Sequence, residues 1–165
     1  MRDGLRDLFS FPNPVNEYAA RTVAAMVATM SVAIIVFDAS WLLFFLAYGF
    51  AARVLTGPTL SPMGLLATRV IVPLAGDPDK PAAGPPKRFA QSVGLVFSVG
   101  ALLIYFAGAA PVAAYSLLGV LVLFALLESV VGFCAGCFVF GYLMRWGVIP
   151  QRFCEECERF EASRA

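Results

Sequence analysis

The chain has 165 residues, of which 60% are hydrophobic and 14% charged, and its mean hydropathy is +0.81. A soluble domain is about 45–50% apolar and about 25% charged, so this composition excludes an ordinary soluble domain and indicates a single membrane-embedded one. The net charge of +1 provides no basic field for nucleic acid. The sequence contains no histidine, which excludes Ser-His-Asp and Cys-His catalysis and histidine-ligated metal or haem within this chain.

Four apolar stretches predict four membrane-spanning helices, since a span needs about 20 mainly apolar residues. The predicted spans are residues 17–37, 40–56, 89–107 and 111–133, and the second of them is short. The last apolar stretch continues to Trp146, too long for one straight span, so either it tilts strongly or it leaves the bilayer near Phe133 and continues along or beyond the interface. The predicted fold class is all-α, a transmembrane four-helix bundle over residues 1–146, with a cytoplasmic tail over residues 147–165.

A further short helix is predicted between the second and third spans. Ser61 and Pro62 are typical of a helix start, and the apolar segment after them ends near Gly76. This segment is too short to cross a bilayer, which favours an interfacial or re-entrant helix.

The basic residues predict the orientation of the chain. All 12 lie on one side of the predicted spans or at the helix ends on that side, whereas the turns near Asp38 and near residues 108–111 contain none. Cytoplasmic segments are enriched in lysine and arginine. We therefore expect a multi-pass protein of the plasma membrane with cytoplasmic N- and C-termini.

The four cysteines form two CxxC pairs. Cys134 and Cys137 lie in CAGC, Cys154 and Cys157 lie in CEEC, and 16 residues separate the pairs. This spacing is typical of a four-thiolate zinc site. Cys134 is 23 residues after Pro111, about 35 Å of helix, which exceeds a hydrocarbon core of about 30 Å. Both pairs are therefore expected at the cytoplasmic face.

Three interpretations of the cysteines stay open. All four thiolates can bind zinc, and the same set suits iron or an iron–sulfur cluster. One or both pairs can instead be a working dithiol, or the thiols can be unrelated. Four glutamates near the second pair disfavour its thiolates, which a divalent metal would offset; they are Glu155, Glu156, Glu158 and Glu161.

Glu128 is the only acidic residue well inside a predicted span, so a paired or functional role is expected. The favoured interpretation is a structural ion pair with one of three arginines, which are Arg21, Arg53 and Arg69. A proton-handling role is the alternative. On a straight helix Glu128 lies about 240° from Cys134 and about 180° from Cys137, which argues against its acting as the base of either thiol.

Four segments, in order from Phe11 to Arg145, resemble a family of small bacterial membrane proteins, common in actinobacteria and catalogued as domain of unknown function 4395. They are FPNPVNEYAAR, GPTLSP, KRFAQSVG and FCAGC. The resemblance implies a four-helix membrane protein, supplies no activity, and points to a thioredoxin-like or sulfurtransferase partner in the cytosol. The layout is also similar to that of quinone-coupled thiol oxidases, but those enzymes act on the oxidising side, opposite to the side predicted here for CAGC.

Two functions follow as hypotheses. The first is a thiol-redox or sulfur-relay component of the membrane with Cys134 and Cys137 as its dithiol. The second is a non-enzymatic membrane or assembly protein in which the two cysteine pairs hold structural zinc or iron. The sequence states no reaction. A pore is less favoured, because four spans would have to oligomerise and no polar stripe besides Glu128 lines a path.

Overall fold

The structure, a computed structural model, describes residues 15–76, 80–108 and 110–147. These ranges form α1 (Glu17–Phe37), α2 (Leu42–Thr56), α3 (Pro62–Leu74), α4 (Gly84–Phe106), α5 (Pro111–Val131) and α6 (Ala135–Arg145). Two short strands, β1 (Val15–Asn16) and β2 (Pro81–Ala82), pair antiparallel. The predicted all-α fold class is confirmed.

Three of the described helices, α1, α4 and α5, are long and apolar enough to cross a membrane. The chain is therefore a membrane protein. Helix α2 has 15 residues, about 22 Å, which is shorter than a hydrocarbon core of about 30 Å. That α2 also crosses the membrane, as the second of the four predicted spans, stays a prediction.

Helix α2 nevertheless runs between the same two ends of the bundle as the long helices. At one end Asp38, just before α2, accepts hydrogen bonds from the hydroxyls of Tyr105 on α4 and Tyr115 on α5. At the other end Arg53 on α2 donates to Gln91, near the start of α4. We call the first the tyrosine end. The second is the basic end, defined by Arg21, Arg53, Lys80, Lys87 and Arg88.

Local signals set most helix starts. The side chain of Asn16 caps α1 by accepting from the Tyr18 amide at 2.9 Å, and Ser61 caps α3. The helix that contains the third predicted span, α4, begins at Gly84, five residues before the predicted start of the span at residue 89. Two prolines follow Gly84, and proline fits the first turn of a helix, where no amide donor is needed. As a result Lys87 lies inside α4 and is buried.

The helices pack through small residues and expose a wide apolar surface. An added Cβ on Gly94 of α4 would lie 2.2 Å from the Phe50 ring of α2, so only glycine permits this approach. Large apolar side chains cover the outside, including Phe37, Trp41, Leu74, Val112 and Trp146. An apolar exterior of this extent is suited to lipid rather than to water.

Helix α5 breaks near the residue that the length argument indicated. Its last turn is a π-helix, Leu127–Val131, and Gly132 then adopts a left-handed conformation with φ of 77°. Arg21 of α1 donates to the carbonyl oxygens of Ser129 at 3.1 Å and Val130 at 2.7 Å. These bonds satisfy carbonyls that the interrupted helix leaves without an amide partner.

The tyrosine end supplies a prediction about acid stability. Hydrogen bonds from Tyr115 and Tyr105 hold the pKa of Asp38 below its usual 3.8. A carboxylate whose pKa is lowered on folding stabilises the folded state fully at pH values above its usual pKa. This stabilisation is lost as the pH falls through the lower pKa of the folded state. We expect Asp38→Asn, which tolerates the left-handed backbone, to lower the melting temperature at about pH 7, and we expect the difference from wild type to shrink as the pH falls below 3.8. Equal melting temperatures at neutral pH would contradict this, and Tyr18→Phe is the control.

Candidate functional site

The first cysteine pair lies at the start of α6. Cys134 is the N-cap residue, and the sulfur atoms of Cys134 and Cys137 are joined in a disulfide with Cα atoms 5.2 Å apart. The Cys137 amide donates to the Cys134 sulfur at 3.2 Å. Both residues are half-buried. The partial positive charge of a helix N-terminus favours a thiolate at this position, which is the reactive form of cysteine.

Close contacts hold this pair against α4. An added Cβ on Gly136 would lie 2.5 Å from the Cβ of Ala90, so α6 and α4 approach as closely as a glycine allows. The ring of Phe140 packs on Phe89 with centroids 5.7 Å apart. Gly132 forms the kink, and Gly136, four residues later, forms the helix contact, so the two glycines have different roles.

Glu128 forms its ion pair with Lys87, not with Arg21, Arg53 or Arg69 as the sequence predicted. Lys87 Nζ lies 2.6 Å from Glu128 Oε1, and the two side chains are 9% and 14% exposed. The sequence did not indicate Lys87 as a partner, because the third predicted span begins at residue 89, after Lys87. The missed signal was the Gly-Pro-Pro sequence of residues 84–86, which extends the helix to include Lys87.

The three arginines have other surroundings. Arg21 binds the carbonyls at the break in α5, and Arg69 is exposed on α3. Arg53 is only 4% exposed and donates to Gln91 at 2.8 Å. Its other neighbours are Ser61 Oγ at 3.3 Å, Met63 Sδ at 3.9 Å and the Phe50 ring, 4.5 Å from Arg53 Cζ.

Glu128 and Cys134 line one cavity, although the angle counted along a straight helix placed them on different faces. The cavity, of about 220 Å³, lies between α1, α4, α5 and α6, and Gln91 is a further polar residue in its wall. The rest of the wall is mainly apolar and includes Phe50, Phe89, Phe97 and Phe124. The π-turn and the kink at Gly132 change the direction of the chain between Glu128 and Cys134, which is why angles counted along a straight helix do not apply.

The second pair, Cys154 and Cys157, lies outside the described residues. Within residues 15–76, 80–108 and 110–147, no group of three or more histidine, cysteine, aspartate or glutamate side chains is placed to hold a metal ion. The four-thiolate site of Cys134, Cys137, Cys154 and Cys157, with zinc or iron, therefore stays a prediction.

These features define a helical membrane protein with a cysteine pair where its last long helix ends. The chain belongs to the family described as Domain of unknown function (DUF4395), which matches residues 15–145. The match includes Cys134 and Cys137 and ends before Cys154. No curated protein and no solved structure matches the chain.

The Lys87–Glu128 pair can be tested by a double-mutant cycle. Because removal of one partner leaves a buried charge unpaired, we expect Lys87→Met and Glu128→Gln each to lower the unfolding free energy by about 3 kcal/mol, and the double variant to lose less than their sum. Unfolding in mixed micelles measures this. Lys80→Met, which removes the more exposed Lys80–Glu17 pair, should cost about 0–1 kcal/mol. Additive effects in the double variant would contradict a direct pair.

The contact at Gly136 gives a matched test of how α6 is held. Gly136→Ala should lower the unfolding free energy by about 1–3 kcal/mol, because the new methyl group overlaps Ala90. Gly141, on the same helix, has no atom within 4 Å of an added Cβ. Gly141→Ala should therefore be neutral or up to about 1 kcal/mol stabilising through helix propensity. The contact has no structural importance if the two variants behave alike.

Proposed function

We propose that this protein is a thiol-redox component of the membrane, with Cys134 and Cys137 as its working dithiol at the cytoplasmic face. The observation that carries the proposal is the joined pair at the N-terminus of α6, half-buried beside an apolar cavity. Such a position combines access for a partner with stabilisation of a thiolate.

The pair would act by thiol–disulfide exchange with a thioredoxin-like cytosolic protein. The Cys134 thiolate attacks one sulfur of the partner's disulfide, forming a mixed disulfide and releasing one partner thiolate. The Cys137 thiolate then attacks the Cys134 sulfur, which forms the Cys134–Cys137 disulfide and releases the second partner thiolate. Two electrons pass from the pair to the partner, and the two protons lost by the cysteines are taken up by the partner's thiolates. The reverse sequence oxidises a partner dithiol.

Sulfur relay uses the same first nucleophile. With a sulfurtransferase that carries a persulfide, the Cys134 thiolate attacks the outer sulfur, takes it up as a Cys134 persulfide and releases the partner's thiolate. No net oxidation occurs in this transfer. The identity of the partner therefore distinguishes the two activities, whereas the residues on this chain are common to both.

The charges favour the cytoplasmic placement. Arg21, Arg53 and Lys87 lie at the basic end, the end at which Glu128 precedes the kink and Cys134 follows it. No described residue at the turns of the tyrosine end is basic. By the positive-inside rule, the basic end faces the cytoplasm of a plasma-membrane protein. In this topology α2 also crosses the membrane, which gives four spans and places both termini inside.

Alkylation in cells tests the proposal. Cells are quenched with acid, and their free thiols are labelled with a polyethylene-glycol maleimide before and after reduction. We expect the labelling of Cys134 and Cys137 to change when cells are exposed to diamide or dithiothreitol. The double variant Cys154→Ser/Cys157→Ser should keep this response, and Cys134→Ser/Cys137→Ser should lose it. Unchanged labelling of the first pair under both treatments would overturn the proposal.

Two further measurements distinguish the alternatives. A membrane-impermeant maleimide applied to intact cells should not label Cys134 or Cys137 even after reduction, and labelling from outside would contradict the orientation. Elemental analysis of the purified protein tests the structural metal site. About one zinc or iron per chain, lost in both Cys134→Ser and Cys154→Ser, would favour the non-enzymatic metal-holding function instead.

A further inference from the structure

A second cavity, of about 240 Å³, lies at the basic end between α1, α2, α3 and α4. Two cationic residues, Arg53 and Lys87, line it together with the neutral polar residues Asn16, Thr68 and Gln91. No carboxylate is among its described lining residues. The cavity wall is mainly apolar, as in the cavity beside Cys134, but its only described charged lining residues are cationic.

Arg53 lacks a direct anionic partner among the described residues. Its hydrogen bonds go to Gln91, Ser61 and the sulfur of Met63, which are all neutral, and its Nη2 atom is buried with no hydrogen-bond partner. The nearby carboxylate of Glu128 is held by Lys87 at 2.6 Å. Two cations thus share one carboxylate, although buried charges in proteins are normally paired.

We propose that this cavity binds a phosphate-type oxyanion, which supplies the missing negative charge. The Nη2 atom of Arg53, which has no partner, can donate to such a group, and the Lys87 ammonium has three donors, of which Glu128 takes one. A volume of about 240 Å³ exceeds that of several waters at about 30 Å³ each, so there is room for a phosphate and part of a glycerol group. This inference does not depend on the thiol chemistry.

The phosphate can belong to a lipid headgroup or be free in solution. Basic pockets between membrane helices on the cytoplasmic side are suited to anionic headgroups. The experiment uses the full chain in phosphatidylcholine nanodiscs and measures the melting temperature. One arm adds inorganic phosphate against chloride at equal ionic strength, and the other replaces part of the lipid with phosphatidylglycerol. A saturable rise in the first arm identifies free phosphate, and a rise only in the second identifies the lipid.

Variants at Arg53 and Arg69 test the assignment. Arg53→Lys keeps the charge but loses the free Nη2 donor, and we expect the affinity for the effective phosphate source to fall about tenfold. Arg69→Gln removes an exposed arginine that does not line the cavity and should respond like wild type. No saturable rise in either arm, or a wild-type response in Arg53→Lys, would overturn the proposal.

A variant at the cavity wall keeps the proposal testable if Arg53→Lys does not fold. Thr68 is half-buried and lines the cavity. Thr68→Glu places a carboxylate where the phosphate would bind, so it should raise the melting temperature without added anion and abolish the response to both phosphate and phosphatidylglycerol. A phosphate response in Thr68→Glu equal to that of wild type would show that the anion binds elsewhere.

Discussion

The break in the last long helix is the constraint on which the rest of the basic end depends. A helix that ends near a bilayer leaves carbonyl groups that water cannot readily satisfy. Arg21 binds two of them, and Gly132 supplies the left-handed residue that turns the chain. Because of this turn a new helix, α6, begins directly after Cys134. Cys134 is the N-cap residue of α6, so the Cys134 sulfur lies at a helix N-terminus. The same turn places Cys134 and Glu128 on one cavity, which a continuous helix would have prevented.

The charges at the basic end are connected through one amide. Gln91 accepts a hydrogen bond from Arg53 and lines both the apolar cavity with Cys134 and the electropositive cavity with Lys87. Glu128 is held by Lys87 but faces the cavity of the cysteine. A change in charge in either cavity therefore acts on groups that belong to the other. Electrostatic effects are strong here, because the residues concerned are largely screened from water.

The sequence predicted features that depend on local capping signals and missed those that depend on the start of α4 and on the bend after α5. The starts of α1 and α3 follow from the caps Asn16 and Ser61, and length indicated that the last apolar stretch either tilts strongly or leaves the bilayer near Phe133; the structure has the break. The partner of Glu128 was wrong because it required α4 to begin at Gly84. The straight-helix angles between Glu128 and Cys134 do not apply, because a π-turn and a left-handed glycine, neither of which has a firm sequence signature, redirect the chain between them and both residues line one cavity.

The shortness of α2 explains how so polar a cluster can exist in this bundle. Arg53 lies only one turn from the C-terminus of α2, whose 15 residues end at Thr56. Arg53 bonds to Gln91, which lies seven residues after the start of α4, so this turn of α2 lies inside the bundle rather than at its end. The α3 segment then covers it, with Ser61 and Met63 contacting the guanidinium. The arginine is thus removed from water but lines a cavity whose described charged lining residues are all cationic, an arrangement in which the proposed anion would supply the opposite charge.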